Sequence, residues 1–338
     1  MKHITTVITL LCLLGGCASH DAVKPVFLDL EPSRLPAPNV TLNIPGLGPC
    51  TDSPDRSLHL DASQPVNVLV HGCYGSSGQF RGLAQVLAFH GQQSACFTYD
   101  DRAKLSHSAA ELTAALNQLA EQSKVPNVTL IGHSQGALIA RRALTESTLT
   151  PLTHQPVDLK LVTISGPFSG IDAAQPCGQV WLYPLSLGLV PLSCYLGTGP
   201  KWADITDNSR FIREPGVLAP QVRSYLKIDT DERGTCRRIE NGRCVDNDDV
   251  FSLAEQRNPL VEAGAQVQRV QVHAGHVEIV GDRRVAPKKL ITILQEQGVL
   301  RLTPAERLPA FSLLLARVYL DPVAQSIDQD AWKPRVQP

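Results

Sequence analysis

The feature that most constrains this chain is a repeated change of hydrophobic period between residues 66 and 298. Short, β-branched, nearly continuous apolar runs alternate with stretches in which apolar residues recur every three or four positions. The runs are VNVLVHG (66–72), ACFTYD (95–100), NVTLIGH (127–133), LKLVTISG (159–166), VRSYLKID (222–229) and VQRVQVHAG (267–275). Helical spacing appears in SAAELTAALNQLAEQ (108–122), QGALIARRALTES (135–147) and APKKLITILQEQG (286–298). Ser108 followed by Glu111 predicts a capping box at the start of the first of these. Strands buried on both faces read as continuous apolar runs, and the intervening helices supply the cover. The expectation is an α/β fold built on a doubly wound, mostly parallel sheet.

Two stretches depart from the alternation. Residues 168–215 contain WLYPLSLGLVPLSCYLG, which is apolar but broken by Pro184, Pro191 and several glycines. Its length and prolines exclude a membrane span. A cap inserted over the carboxyl ends of the strands, where open α/β sheets bind ligands, fits better. Residues 301–338 form a C-terminal tail whose AFSLLLARVYL is expected to pack as a helix. The chain has 338 residues, 43% of them hydrophobic, enough for one large domain with an insert. Its formal net charge is −1, and no run of Lys or Arg exceeds two, which argues against nucleic acid as a partner.

The first residues point to export. Lys2 and His3 precede an apolar stretch, Ile4 to Leu14, too short to span a bilayer, which reads as a secretory signal. It ends in Leu14-Gly15-Gly16-Cys17, which resembles the bacterial lipobox. That resemblance implies a signal over 1–17 and lipidation of Cys17, followed by a tether and irregular lead-in over 18–65. The membrane would be reached through the lipid anchor. With Ala18 and no Asp after the cysteine, resemblance to sorted lipoproteins favours the periplasmic face of the outer membrane. Export permits disulfides. Cys236 and Cys244 flank RRIENGR, whose Asn241-Gly242 is a turn signal, so a bridged hairpin is expected. Cys177 and Cys194 bracket the apolar insert and form a second candidate pair, while Cys50, Cys73 and Cys96 have no evident partner. There is no C-x-x-C and no His/Cys cluster at zinc spacing, so neither a metal nor a cofactor is expected.

IGHSQGAL (131–138) sets Ser134 between two glycines. At average Gly and Ser usage, G-x-S-x-G arises by chance roughly 0.1 times in a chain this long, so context carries the argument. Here an apolar strand precedes the serine and an amphipathic helix follows it. That arrangement resembles the nucleophile elbow of the α/β-hydrolase superfamily, in its lipase and serine-esterase branch, over about 66–298. A serine hydroxyl is a poor nucleophile at neutral pH, so it must stand clear of the backbone and touch a base. The segment LVHGCYGSSG (69–78) resembles the HG-x oxyanion loop of bacterial lipases. The resemblance assigns the backbone N–H groups of Cys73 and Gln135 to the oxyanion.

The base implied by the resemblance is His276, in HAGHVEIV, where lipase-like chains place Gly-His after a strand. His273 falls inside that strand and His154 too early in the chain; His133, at the x position of the elbow, is expected to point away. For the orienting acid, Asp248-Asp249-Val250-Phe251 is similar to the Asp-x-Val-Val-x of lipase-like chains and implies Asp248. Asp249, Asp229 and Asp231 stay open as alternatives. LVTISGPFSGIDAA (161–174) is similar to a lipase segment that carries His where this chain has Phe168. The resemblance thus implies hydrolysis of lipid-like carboxylic esters through a Ser-His-Asp triad and an acyl-enzyme, without a cofactor. A thioesterase or phospholipase on the same triad, or a non-catalytic lipoprotein that binds lipid or an envelope partner, are the competing readings.

Overall fold

A computed structural model describes residues 35–146 and 158–319. The signal segment, Cys17, the tether up to residue 34, His154 and the tail from 320 onward lie outside the described residues.

The chain begins its described course with three short strands, β1 (Val40–Leu42), β2 (Leu47–Gly48) and β3 (Leu58–Leu60). β4 (Val66–Val70), α1 (Arg81–Phe89), β5 (Gln93–Phe97), α2 (Leu105–Ser123), β6 (Asn127–His133), α3 (Gln135–Ala143) and β7 (Asp158–Ile164) follow. The cap then contributes α4 (Gln175–Gly178), α5 (Leu182–Leu185), α6 (Leu189–Thr198), α7 (Trp202–Ile205) and α8 (Arg210–Arg213). After it come β8 (Val222–Asp231), the hairpin β9 (Cys236–Glu240) and β10 (Arg243–Asn247), α9 (Leu253–Gln256), α10 (Pro259–Glu262) and β11 (Val267–His273). Two helices, α11 (Lys288–Glu296) and α12 (Leu308–Val318), close it.

Seven strands form the central sheet in the order β11-β8-β7-β6-β4-β5-β2. All its pairings are parallel except β2 with β5. The six apolar runs of the sequence are its six parallel strands. From β4 the chain steps one way to β5, then returns past β4 to build β6, β7, β8 and β11 on the other side. The reversal lies between β4 and β6, and open α/β sheets bind ligands beyond the carboxyl ends of the strands at such a point.

Alternation along each strand splits the core in two. Val66, Val68 and Val70 of β4 pack with Leu112 and Leu116 of α2 and Ile139 of α3. Leu69 and Ile131 face the other way, against Leu83 and Leu87 of α1, Leu290 and Leu294 of α11 and Phe311 of α12. Within 301–338 the tail therefore supplies a helix that seals the second face.

The predicted capping box is not present. α2 begins at Leu105, ahead of Ser108, which is buried inside the helix, while Glu111 pairs on the surface with His107 at 3.3 Å. The first turn is capped instead from the insert: Asp204 Oδ2 accepts the Leu105 N–H at 2.8 Å. Disulfides join Cys177 to Cys194 within the cap, Cys236 to Cys244 across the hairpin, and Cys50 to Cys96. Cys73 is the free cysteine among the described residues.

Candidate active site

Ser134 alone makes the turn from β6 into α3, at φ 57° and ψ −125°. A non-glycine residue at positive φ is uncommon, and persists where its surroundings over-determine it. Here the Ser134 N–H donates to Ile164 O at 2.9 Å, and its carbonyl accepts the Ala137 N–H at 3.0 Å. The turn also needs strand and helix to approach closely. A Cβ on Gly132 would lie 2.4 Å from the Gly136 carbonyl oxygen, and one on Gly136 would lie 2.3 Å from that of Val70. The loop after β4 rests on the serine, since a Cβ on Gly72 would meet Ser134 Cβ at 3.0 Å. Cys73 follows in that loop. The N–H of Gln135 opens α3, where no intrahelical acceptor exists.

His276 follows β11 and is buried. Its Nδ1 lies 2.9 Å from Glu232 Oε1 and 2.9 Å from Ser165 Oγ. The carboxylate is wholly enclosed. Oε1 also accepts from the hydroxyls of Ser165 at 2.6 Å and Thr230 at 2.8 Å, while Oε2 accepts the N–H groups of Val250 and Phe251, both at 2.7 Å. Burial acts to raise the Glu232 carboxyl, but bonds from His276, Ser165 and Phe251 outweigh it and hold the group below its ordinary range. An ionised acceptor at Nδ1 fixes the ring proton there and leaves Nε2 as the basic nitrogen.

The acid beside the imidazole is therefore Glu232, not Asp248. Asp248 is buried, but its two oxygens accept the backbone N–H groups of Val277 and Glu278 at 2.9 Å, and its carbonyl accepts that of His276 at 2.9 Å. It braces the loop that carries the histidine without touching the ring. Asp229 is bound by the ammonium of Lys227, Asp231 by the guanidinium of Arg233 at 2.6 and 2.7 Å, and Asp249 is exposed. Hydrogen bonding to Arg233 pulls the Asp231 carboxyl down to about 2.

Strand alternation accounts for the difference. Side chains two apart share a face, so Asp229 and Asp231 point one way while Thr230 and Glu232, bonded to each other, point toward Ser165 and His276. The expected Asp248 lies 16 positions beyond Glu232, and the alternative Asp231 directly before it on the opposite face. The signal for Glu232 was the face of β8 shared with Thr230, together with the freedom of this fold to use glutamate as well as aspartate.

Two other histidines differ from expectation or bear on it. His133 does not point clear of the site. Its Nε2 lies 2.9 Å from the His276 carbonyl oxygen, and the two rings are 4.7 Å apart. Burial, reinforced by His276, depresses its pKa to about 3, so it stays neutral and donates from Nε2. His273 is exposed and bonds the Asp231 carbonyl at 2.9 Å. Phe168, at the position where the lipase segment has histidine, is buried, with its carbonyl accepting from Asn258 at 2.8 Å. Among the described residues no group of three or more His, Cys, Asp or Glu could hold a metal ion.

The structure thus sets the Gly72-Cys73 loop against Ser134 at the reversal point of the sheet, joins Glu232 to His276, and bonds the His276 carbonyl to His133, the residue before the serine. A family model of the α/β hydrolase fold matches residues 65–176, and with the sheet order above it identifies the architecture as the α/β-hydrolase fold. Solved structures similar to the chain include the mature lipase BlEst2 of Bacillus licheniformis, at 18% identity and a TM-score of 0.45, covering 78% of this chain and 99% of that one. Another is the esterase Pf2001 of Pyrococcus furiosus, at 15% identity and a TM-score of 0.42, covering 89% of this chain and 100% of that one. Neither likeness bears on the chemistry of this chain. No curated protein matches it.

Proposed function

We propose that the chain is a serine hydrolase that cleaves carboxylic esters of hydrophobic acyl groups through Ser134, His276 and Glu232. The observation that carries this reading is the strained Ser134 turn, whose preceding residue His133 is bonded to His276, a buried imidazole with its Nδ1 held by an ionised, fully hydrogen-bonded carboxylate. In the proposed cycle His276 Nε2 takes the proton as Ser134 Oγ attacks the acyl carbonyl. The backbone N–H groups of Cys73 and Gln135 receive the oxyanion. Collapse expels the alcohol, which takes the proton from His276, and leaves an acyl-serine. Water, deprotonated by the same nitrogen, then releases the acid. Glu232 keeps the imidazole in the productive tautomer and stabilises its cation.

The cap supports a hydrophobic substrate. Residues 173–200 carry no charged side chain, and Trp181, Leu185, Leu187, Leu189, Tyr195 and Leu196 are all more than half exposed. So large an uncovered apolar surface suits an acyl chain or a lipid surface. Lipidation of Cys17 and residence at the outer membrane, expected from the lipobox resemblance, would hold the cap near such substrates. The test is hydrolysis of p-nitrophenyl esters from acetyl to dodecanoyl by wild type and Ser134→Ala. The reading predicts turnover that favours the longer acyl groups and is lost in the variant. Wild type without turnover, or a variant that retains it, overturns the reading.

A further inference from the structure

The cap meets the body of the hydrolase through the turn Gly199–Lys201, and the last residue of that turn is a buried cation. Lys201 is 1% exposed. Its Nζ donates to Asp101 O at 2.6 Å, Gln135 Oε1 at 2.8 Å and Cys73 Sγ at 2.9 Å. Three acceptors match the three N–H groups of an ammonium, so the group is fully bonded. It is weakly neutralised, however. The carboxylate oxygen it approaches, Oδ2 of Asp101, stands 3.9 Å away and already accepts the Tyr74 N–H at 2.6 Å. A buried ammonium without a close counter-ion is costly to keep, so its partners matter.

Two of those partners are the side chains of the residues whose backbone N–H groups would receive the oxyanion, Cys73 and Gln135. Gln135 is tied twice, since its Nε2 donates to Asp101 O at 3.0 Å while its Oε1 accepts from Lys201. Cys73 is followed by Tyr74 at φ 55°, whose hydroxyl reaches Gly197 O in the cap at 3.0 Å. Arg102 fastens the same cap segment, donating to the carbonyls of Tyr195, Leu196 and Gly197 at 3.1 to 3.2 Å. Burial pushes the Cys73 thiol up against the opposing pull of Lys201, so the sulfur faces the ammonium as a neutral thiol.

We propose that Lys201 is a positioning residue for the oxyanion site. The cap delivers its ammonium to Cys73 and Gln135, fixing both N–H donors and adding positive charge behind them, so that seating the cap and completing the site are one event. This rests on the serine-hydrolase reading. Oxyanion donors act through preorganised geometry, and losing one costs about a hundredfold to a thousandfold in kcat. A residue that holds two of them in place should cost about tenfold to a hundredfold, with KM little changed.

The experiment compares wild type, Lys201→Met and Gln135→Met, the last keeping its backbone N–H but losing the lysine contact. The readouts are kcat and KM on p-nitrophenyl acetate, whose short acyl group makes least use of the cap, and the Ki of an alkyl trifluoromethyl ketone. Such a ketone adds the serine as a tetrahedral oxyanion, so its affinity follows transition-state binding. The proposal predicts that Lys201→Met loses kcat and ketone affinity in parallel. Gln135→Met should move the same way by a smaller factor, and remains decisive if Lys201→Met does not fold. Should the folded variants lose thermal stability while kcat and Ki stay within about twofold of wild type, Lys201 is merely structural and the proposal fails. If wild type neither hydrolyses the ester nor binds the ketone, the serine-hydrolase reading itself has failed.

Discussion

Glu232→Gln isolates the acid. Both carboxylate oxygens face donors, three at Oε1 and two at Oε2, so an amide must turn its NH2 toward one set. The backbone N–H groups of Val250 and Phe251 cannot reorient. The hydroxyls of Ser165 and Thr230 can, so the NH2 goes to the Oε1 side. There it meets His276 Nδ1, which must become an acceptor and move its proton to Nε2. An imidazole protonated on Nε2 cannot take a proton from Ser134. By analogy with amide replacement of a triad carboxylate, kcat should fall about 10³ to 10⁴-fold, or about 4 to 5.5 kcal/mol of barrier. Crowded donors around the amide should also lower stability by about 1 to 3 kcal/mol.

Asp248→Asn is the control. It forfeits one acceptor for the N–H of Val277 or Glu278, so stability should fall by about 1 to 2 kcal/mol while kcat stays within about tenfold. The assays are kcat on p-nitrophenyl butyrate and urea unfolding of both variants. A folded Glu232→Gln within about tenfold of wild type, or an Asp248→Asn that loses a thousandfold, refutes the reasoning.

Other expectations follow from particular groups. His133 has a folded pKa of about 3, below its ordinary 6.5. The unfolded chain therefore takes the proton first, and stability, full above pH 6.5, is lost as pH falls from there toward 3. Unfolding free energy against pH should slope less for His133→Gln than for wild type, with part of the slope kept by His71, which burial also depresses. Asp204→Ala removes the cap of α2 and should cost about 1 kcal/mol in urea unfolding, whereas Ser108→Ala, a buried site inside the helix, should not report a lost cap. Replacing Cys50 and Cys96 by serine opens a link across 46 residues and should cost about 2 to 4 kcal/mol, read as a lower midpoint in denaturant.

The parallel sheet was legible because its inner strands are buried on both faces, which writes them as apolar runs such as NVTLIGH, while the edge strand β11 shows the alternation of a strand covered on one side. The elbow was legible because its geometry demands small residues at 132 and 136, where any Cβ would strike backbone. β1 to β3, with two or three residues each, are too short to establish a period. The cap of α2 was hidden because Asp204 lies 99 residues from Leu105 in sequence. Glu232 escaped because the two aspartates before it, Asp229 and Asp231, lie on the other face of β8, and the hairpin after it separates the strand end from the usual motif spacing. Lys201 carries no local signal at all. It follows a long uncharged stretch, and its partners come from three other segments.

The most direct test is covalent labelling with a fluorophosphonate, followed by intact mass and peptide mapping. The account predicts one adduct, on Ser134, absent from Ser134→Ala and slowed in Glu232→Gln far more than in Asp248→Asn. An adduct on another residue, or a wild type that stays unlabelled while folded, would contradict it.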